Sequence, residues 1–206
     1  ATYSTCAPIF NQAPKSRRAG NVRGRATLCI NFNNDVFAFL KDSPHIKTVV
    51  LSSPWRLEAK PGGVLFSKTD SGLIEIESGL NVAIEAMGKT INEILKLDKK
   101  IIIFGPPPVA SRDTSACLEK VATGKVIFES ICKIDAVKAL KDDINITTLL
   151  GEMDKIDGVK VINLSDTLCN KIECITHKGS TPIDRDRAHL SVEGSKVVFK
   201  MIDLDL

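Results

Sequence analysis

Aromatic side chains are scarce in this sequence of 206 residues: eight phenylalanines, one tyrosine and one tryptophan, Trp55. A surface that stacks nucleic-acid bases needs more rings than that. Charge of one sign is also lacking. The 28 basic and 25 acidic residues leave a net +3, too even for the basic face that grips phosphates. Nucleic acid is therefore excluded as a partner. Long apolar runs are absent; those present are short, as at residues 101–104. A membrane-spanning helix needs about 20 apolar residues. The opening Ala1-Thr2-Tyr3-Ser4 lacks the basic-then-apolar order of a signal peptide. Any export signal or anchor is expected outside this chain. No Cys-x-x-Cys occurs among the six cysteines, which leaves a zinc site or a thioredoxin-type motif unsupported. No metal is expected.

Those cysteines fall as local pairs: Cys6 with Cys29, Cys117 with Cys132, and Cys169 with Cys174. Six cysteines allow fifteen connectivities, of which sequential pairing is the simplest. Each bridge would add roughly 2–4 kcal/mol by restricting the unfolded chain. Disulfides persist in oxidising compartments, so the expected location is extracytoplasmic. Six reduced, buried cysteines are the alternative.

The length suits one domain with a full core. Residues 2–5 read as a strand, and a basic loop follows, with Lys15, Arg17, Arg18, Arg23 and Arg25. That cluster reads as a solvated surface rather than an anion site. Asn33 or Asn34 is expected to cap a helix through Leu40, stopped by Pro44. Residues 48–52, 100–104 and 159–163 are short, apolar and β-branched, the pattern of buried strands. Gly105-Pro106-Pro107-Pro108 ends the second of them, because proline cannot continue a ladder. Leu80, Ile84, Met87, Ile91, Ile94 and Leu95 recur at helical spacing, as core packing. Further helices are expected near residues 115–120, over 136–150, and from Ser191 to Ile202, with Ser191 as N-cap. Strands alternating with helices imply an α/β fold with a parallel sheet. Ligands bind such sheets beyond the carboxyl ends of the strands.

Asp186 and His189 stand three apart, just before the last helix. A carboxylate on one imidazole nitrogen fixes the tautomer and leaves the other to take a proton from a nucleophile. By spacing alone, a surface histidine near a helix start is the favoured reading. Its surroundings add more. Asp-x-x-His-Leu-Ser followed by Gly194 and an amphipathic helix resembles the last block of SGNH hydrolases. More closely, it resembles the extracytoplasmic SGNH domain fused to membrane acyltransferases of the acyltransferase-3 family. Other cues follow in the same order: Cys6-Ala7-Pro8, Cys29 with Asn33, the strand ending at Trp55, Phe104-Gly105-Pro106-Pro107-Pro108, and Leu164-Ser165-Asp166-Thr167-Leu168-Cys169.

The resemblance implies one SGNH-like domain over residues 1–206, the C-terminal part of a larger membrane protein. The fold implied is an SGNH/flavodoxin-like three-layer sandwich with a parallel central sheet. Two features depart from the family. Gly-Asp-Ser, the block that carries its nucleophile, does not occur, so the first strand, nucleophile turn and first helix are expected upstream. Ser52-Ser53-Pro54 lacks the glycine turn of a nucleophile. A Gly-x-Asn-Asp oxyanion block is also absent, and Ser52 to Arg56 stands in its place.

The implied activity is transfer of an acetyl or other acyl group to a hydroxyl of a surface glycan, with lipopolysaccharide O-antigen or peptidoglycan as acceptor. Asp186 and His189 would serve an upstream serine, and the chain by itself would be catalytically silent. No cofactor is implied in this domain; the acyl group would come from acetyl-CoA through a membrane acyltransferase-3 domain in the same protein. The location implied is the periplasmic face of a bacterial inner membrane. Trp55 reads either as a substrate-pocket wall or as plain packing. Arg56 reads as a contact to a polar group of the substrate or as a solvated arginine. Arg185 and Arg187 are expected to steady the loop or to keep Asp186 ionised. The rivals are an acetyl esterase on the same fold and a glycan-binding module with no chemistry.

Overall fold

The computed structural model describes residues 6–15, 21–125 and 129–202. In chain order the elements are β1 (Gln12–Pro14), α1 (Val22–Lys41), β2 (Thr48–Ser52), β3 (Val64–Thr69), β4 (Gly72–Glu77), α2 (Leu80–Leu95), β5 (Lys100–Phe104) and α3 (Thr114–Ala122). They continue with β6 (Ile134–Asp135), α4 (Ala136–Asp142), α5 (Ile144–Met153), β7 (Val159–Ile162), α6 (Leu164–Leu168), β8 (Glu173–Cys174), β9 (His177–Lys178), β10 (Thr181–Pro182) and α7 (Val192–Met201). The contacts group these into two compact units, one of residues 1–105 and 145–162, the other of residues 106–144 and 163–206.

The first unit holds the three apolar strands read from the sequence. They form a parallel sheet in the order β2-β5-β7, with Thr48 opposite Lys100 and Ile101 opposite Val159. The central strand β5 buries Ile101, Ile102, Ile103 and Phe104 alike. Successive side chains point to opposite faces, so a strand covered on both sides must be apolar throughout. Ala83, Met87, Ile91 and Ile94 of α2 pack into one core with Leu51, Ile101, Ile103 and the α5 residues Leu149, Leu150 and Met153.

Three expectations change here. First, α1 begins at Val22, not near Asn34, because Asn21 accepts the Gly24 N–H at 2.8 Å and caps the helix twelve residues earlier. Asn33 is then interior and buried, and its Nδ2 donates to the carbonyls of Ala7 (2.8 Å) and Ile9 (3.0 Å). Second, β3 and β4 form an antiparallel hairpin over residues for which no strand is expected, with β1 on the other edge of β3. Third, residues 136–150 split at Asp143, which ends α4 before α5 begins. The expected strand at residues 2–5 and the basic residues Arg17 and Arg18 lie outside the described residues.

The second unit carries α3, α4, α6 and α7 with short strand pairs: β6 with β8 and β9 with β10, both antiparallel. Ala110, Ile134, Ala136, Ala139 and Cys174 form its apolar cluster. The sequential disulfides are present. Cys6–Cys29 ties the segment before β1 to α1, Cys117–Cys132 ties α3 to the turn after it, and Cys169–Cys174 closes a short loop. No cysteine is free.

Candidate functional site

The site is the loop between β10 and α7. Its base is built by backbone hydrogen bonds. Ile183 donates to the Thr176 carbonyl, Ser191 to that of Ile183, and Arg185 to that of His189, at 2.8, 2.8 and 2.9 Å. Asp184 and Leu190 pair as an isolated bridge, so residues 185–189 hang from a closed neck. Ser191 caps α7 by accepting the Gly194 N–H, while its hydroxyl donates to the Pro182 carbonyl, both at 2.8 Å. Its oxygen is committed to structure, not to chemistry.

Two further anchors hold the loop from the α3 side of the same unit. The Ala110 N–H donates to the Arg187 carbonyl at 2.9 Å, and Arg187 Nε returns a bond to the Ala110 carbonyl at 3.0 Å. The buried Thr114 hydroxyl donates to the Asp186 carbonyl at 3.0 Å. Arg187 therefore steadies the loop, one of the two roles expected of it.

Asp186 and His189 meet. Nδ1 of His189 lies 2.9 Å from both carboxylate oxygens of Asp186. The N–H groups of Ala188 (2.9 Å) and His189 (3.0 Å) also donate to Asp186 Oδ1. These bonds push the Asp186 carboxyl down to about 2: the Ala188 N–H acts most strongly, burial opposes it, and the His189 hydrogen bonds and charge add to the lowering. Hydrogen bonds to the charged form favour ionisation. Arg185, with Nε 3.4 Å from Asp186 Oδ2, is not what lowers it. An ionised partner on Nδ1 places the hydrogen there and leaves Nε2 as the bare nitrogen. The imidazole is 62% exposed, open to a reacting group.

The other expected residues fall elsewhere. Trp55 is fully buried in the first unit's core, and its indole N–H donates to the Phe104 carbonyl at 3.4 Å. A ring so enclosed packs the core and presents no face to a sugar, which corrects the pocket-wall reading. Arg56 beside it is partly exposed. Ser53 Oγ accepts the Trp55 N–H at 3.4 Å, holding the turn after β2. Residue 4, a serine, lies outside the described residues. His45 is exposed in the turn after α1, and His177 lies on β9 near Thr176, at 3.4 Å.

Two residues near the loop escape sequence reasoning. Thr114 sits 72 positions from its partner, and no local pattern marks it. Asp184 is 2% exposed, and burial with the nearby Asp186 charge pushes its carboxyl up to about 7. Its position two before Asp186 was its only signal.

A family model for SGNH domains fused to AT3 domains matches residues 1–203. The chain belongs to that family. No curated protein matches this SGNH domain significantly. Among solved structures, it is similar to the periplasmic domain of a lipopolysaccharide acetyltransferase from Salmonella ser. Paratyphi A. The identity is 20% and the TM-score 0.60, over 95% of this chain and 66% of that one. At that identity the likeness speaks for the fold: an SGNH-like α/β domain with a parallel sheet flanked by helices. This chain spans a little under two thirds of that structure. Among the described residues, no helix is long and apolar enough to cross a membrane.

Proposed function

We propose that this SGNH domain transfers an acyl group, most simply acetyl, to a hydroxyl of a surface glycan such as lipopolysaccharide O-antigen. The observation that carries the proposal is the pairing of His189 Nδ1 with both oxygens of Asp186 at 2.9 Å; a carboxylate there fixes the tautomer in which Nε2 accepts a proton. The nucleophile is a serine on sequence upstream of Ala1. Its hydroxyl loses a proton to His189 Nε2 as its oxygen attacks the acyl donor's carbonyl carbon. The tetrahedral intermediate collapses, the donor leaves with that proton, and the serine holds the acyl group as an ester. A sugar hydroxyl then gives its proton to Nε2 and attacks the ester. His189 returns the proton to the serine oxygen as the acylated glycan departs. Asp186 keeps the imidazole oriented throughout and stabilises the imidazolium.

The fusion that defines the family supports a membrane acyltransferase-3 domain in the same protein as the acyl source, fed from acetyl-CoA. The three disulfides and the periplasmic origin of the similar structure support an extracytoplasmic location, on the periplasmic face of a bacterial inner membrane.

The test is glycan acetylation by the full-length protein carrying His189→Ala. Acetylation should fall by at least about 10⁴-fold, the lower end of the loss when a triad member is removed, while the domain stays folded. Normal acetylation in that variant would overturn the proposal. Release of free acetate without an acetylated glycan would instead mark an esterase. Glycan binding without any acyl-enzyme would mark a binding module.

A further inference from the structure

Asp184 lies where the chain enters the catalytic loop, two residues before Asp186. It is 2% exposed, and its Oδ1 is buried without a hydrogen-bond partner. Its backbone forms the bridge to Leu190, flanked by the Arg185-to-His189 and Ser191-to-Ile183 bonds. One of the two residues that close the neck thus carries a buried carboxyl.

The charged groups on the elements around it are bonded elsewhere or exposed to solvent. Arg187 Nε is bonded to the Ala110 carbonyl, and Arg185 Nε lies 3.4 Å from Asp186. On α7, Lys196 pairs with Glu193 at 2.8 Å. Asp113 caps α3 through the Ala116 N–H, His177 on β9 lies near Thr176, and Lys178 beside it is exposed. His189 is paired with Asp186. Of all these, Asp186 alone acts on Asp184, and its charge opposes a second ionisation.

A buried carboxyl beside an ionised one does not itself ionise cheaply. Asp186 has the N–H donors and holds the charge; Asp184 has none and holds the proton. Such a division between neighbouring carboxyls is how one site keeps two different protonation states at one pH. We infer that Asp184 is a positioning residue for the Asp186–His189 pair: as the neutral acid it lets the neck close, and as the anion it opens it. This rests on the reading of that pair as the general base of acyl transfer.

The sign follows from burial. The folded chain holds the Asp184 proton up to about 7, against an ordinary value of 3.8. The stability this contributes is complete below the ordinary value and is withdrawn as pH rises through about 7. Ionisation releases the proton to water and leaves a buried anion with no cation beside it. Opening the neck hydrates that charge and frees Asp186 and His189 from their fixed geometry.

The experiment has two arms. In the 206-residue chain, carbon NMR follows the Asp184 carboxyl while amide exchange is measured at Arg185 and Ser191 from pH 5 to 9. Asp184 should titrate near 7, and both amides should exchange faster above that pH than base catalysis alone explains. Asp184→Asn, which cannot ionise, should abolish the excess. In the full-length protein, the ratio of acyl transfer at pH 8 to that at pH 6 should be roughly tenfold higher in Asp184→Asn than in the wild type. That is about the loss of neutral acid one unit above its midpoint. A wild-type carboxyl titrating near 4, or equal exchange and equal ratios in both proteins, would overturn the inference. Wild-type protein that transfers no acyl group at any pH would overturn the acyl-transfer reading, and the exchange arm still decides the neck.

Discussion

The carbonyl of Ile183 lies against the Cα of Gly194, so close that a Cβ at 194 would overlap the oxygen and its carbon. The contact seats the first turn of α7 on the segment that leads from β10 into the Asp186–His189 loop. Both residues are buried. Glycine is required there for close approach, not for an unusual backbone angle. The Ser191 bonds to Pro182 and Gly194 join the same two segments.

Gly194→Ala should therefore destabilise the domain at the upper end of the roughly 1–3 kcal/mol typical of overpacking. The obstacle is backbone, which has no rotamer by which to move aside. Denaturant unfolding of the domain measures the loss. A cost under about 0.5 kcal/mol, the range of an ordinary surface substitution, would show that α7 slides freely on Ile183.

The Asp186 carboxyl should stay ionised far into acid. Its folded value of about 2 is below the ordinary 3.8. The stability it contributes is present above the ordinary value and disappears as pH falls through about 2. Carbon NMR of the Asp186 carboxyl, read with the His189 ring signals, should show the pair intact at pH 4. A midpoint near 4 would mean that the Ala188 and His189 N–H bonds do not hold in solution.

Trp55 invites an unusual comparison. Its φ is +57°, the left-handed region that favours glycine, yet it is fully buried. Trp55→Ala should cost about 3–5 kcal/mol for the lost packing. Trp55→Gly leaves nearly the same cavity but relieves the backbone. The glycine variant should thus be the more stable of the two by roughly 1 kcal/mol, the reverse of their usual order. Unfolding midpoints of both variants decide it; alanine ahead of glycine would mean the turn after β2 is not strained.

Much of the first unit was legible in the residues. The strand at 100–104 is apolar because it is covered on both faces; its neighbours at 48–52 and 159–162 are only partly covered and were legible from their short β-branched runs. The α2 stripe was legible because 3.6-residue spacing places one face in the core. The hairpin of β3 and β4 was overlooked although Leu73-Ile74-Glu75-Ile76-Glu77 carries some alternation after Asp70-Ser71-Gly72. Its exposed faces make the apolar signal weak: Val64 and Ile74 are both open to solvent. The start of α1 was hidden because Gly24 and the four nearby arginines resemble a loop, and the Asn21 cap outweighed them.

By itself, the sequence determined the parallel strands, the α2 face, the Asp186–His189 spacing and the family. These rest on local pattern: periodicity, capping residues and short motifs, all encoded within a few positions. Tertiary structure decided what depends on residues far apart. It placed Trp55 in the core, bonded the Thr114 hydroxyl to the Asp186 carbonyl, seated Gly194 on Ile183, and buried the Asp184 carboxyl beside an ionised neighbour. Burial and hydrogen-bond partners set a carboxyl's charge, and neither is written in the positions that flank it. Asp184 and Asp186 are the same residue type two places apart, and only the folded chain gives one the proton and the other the charge.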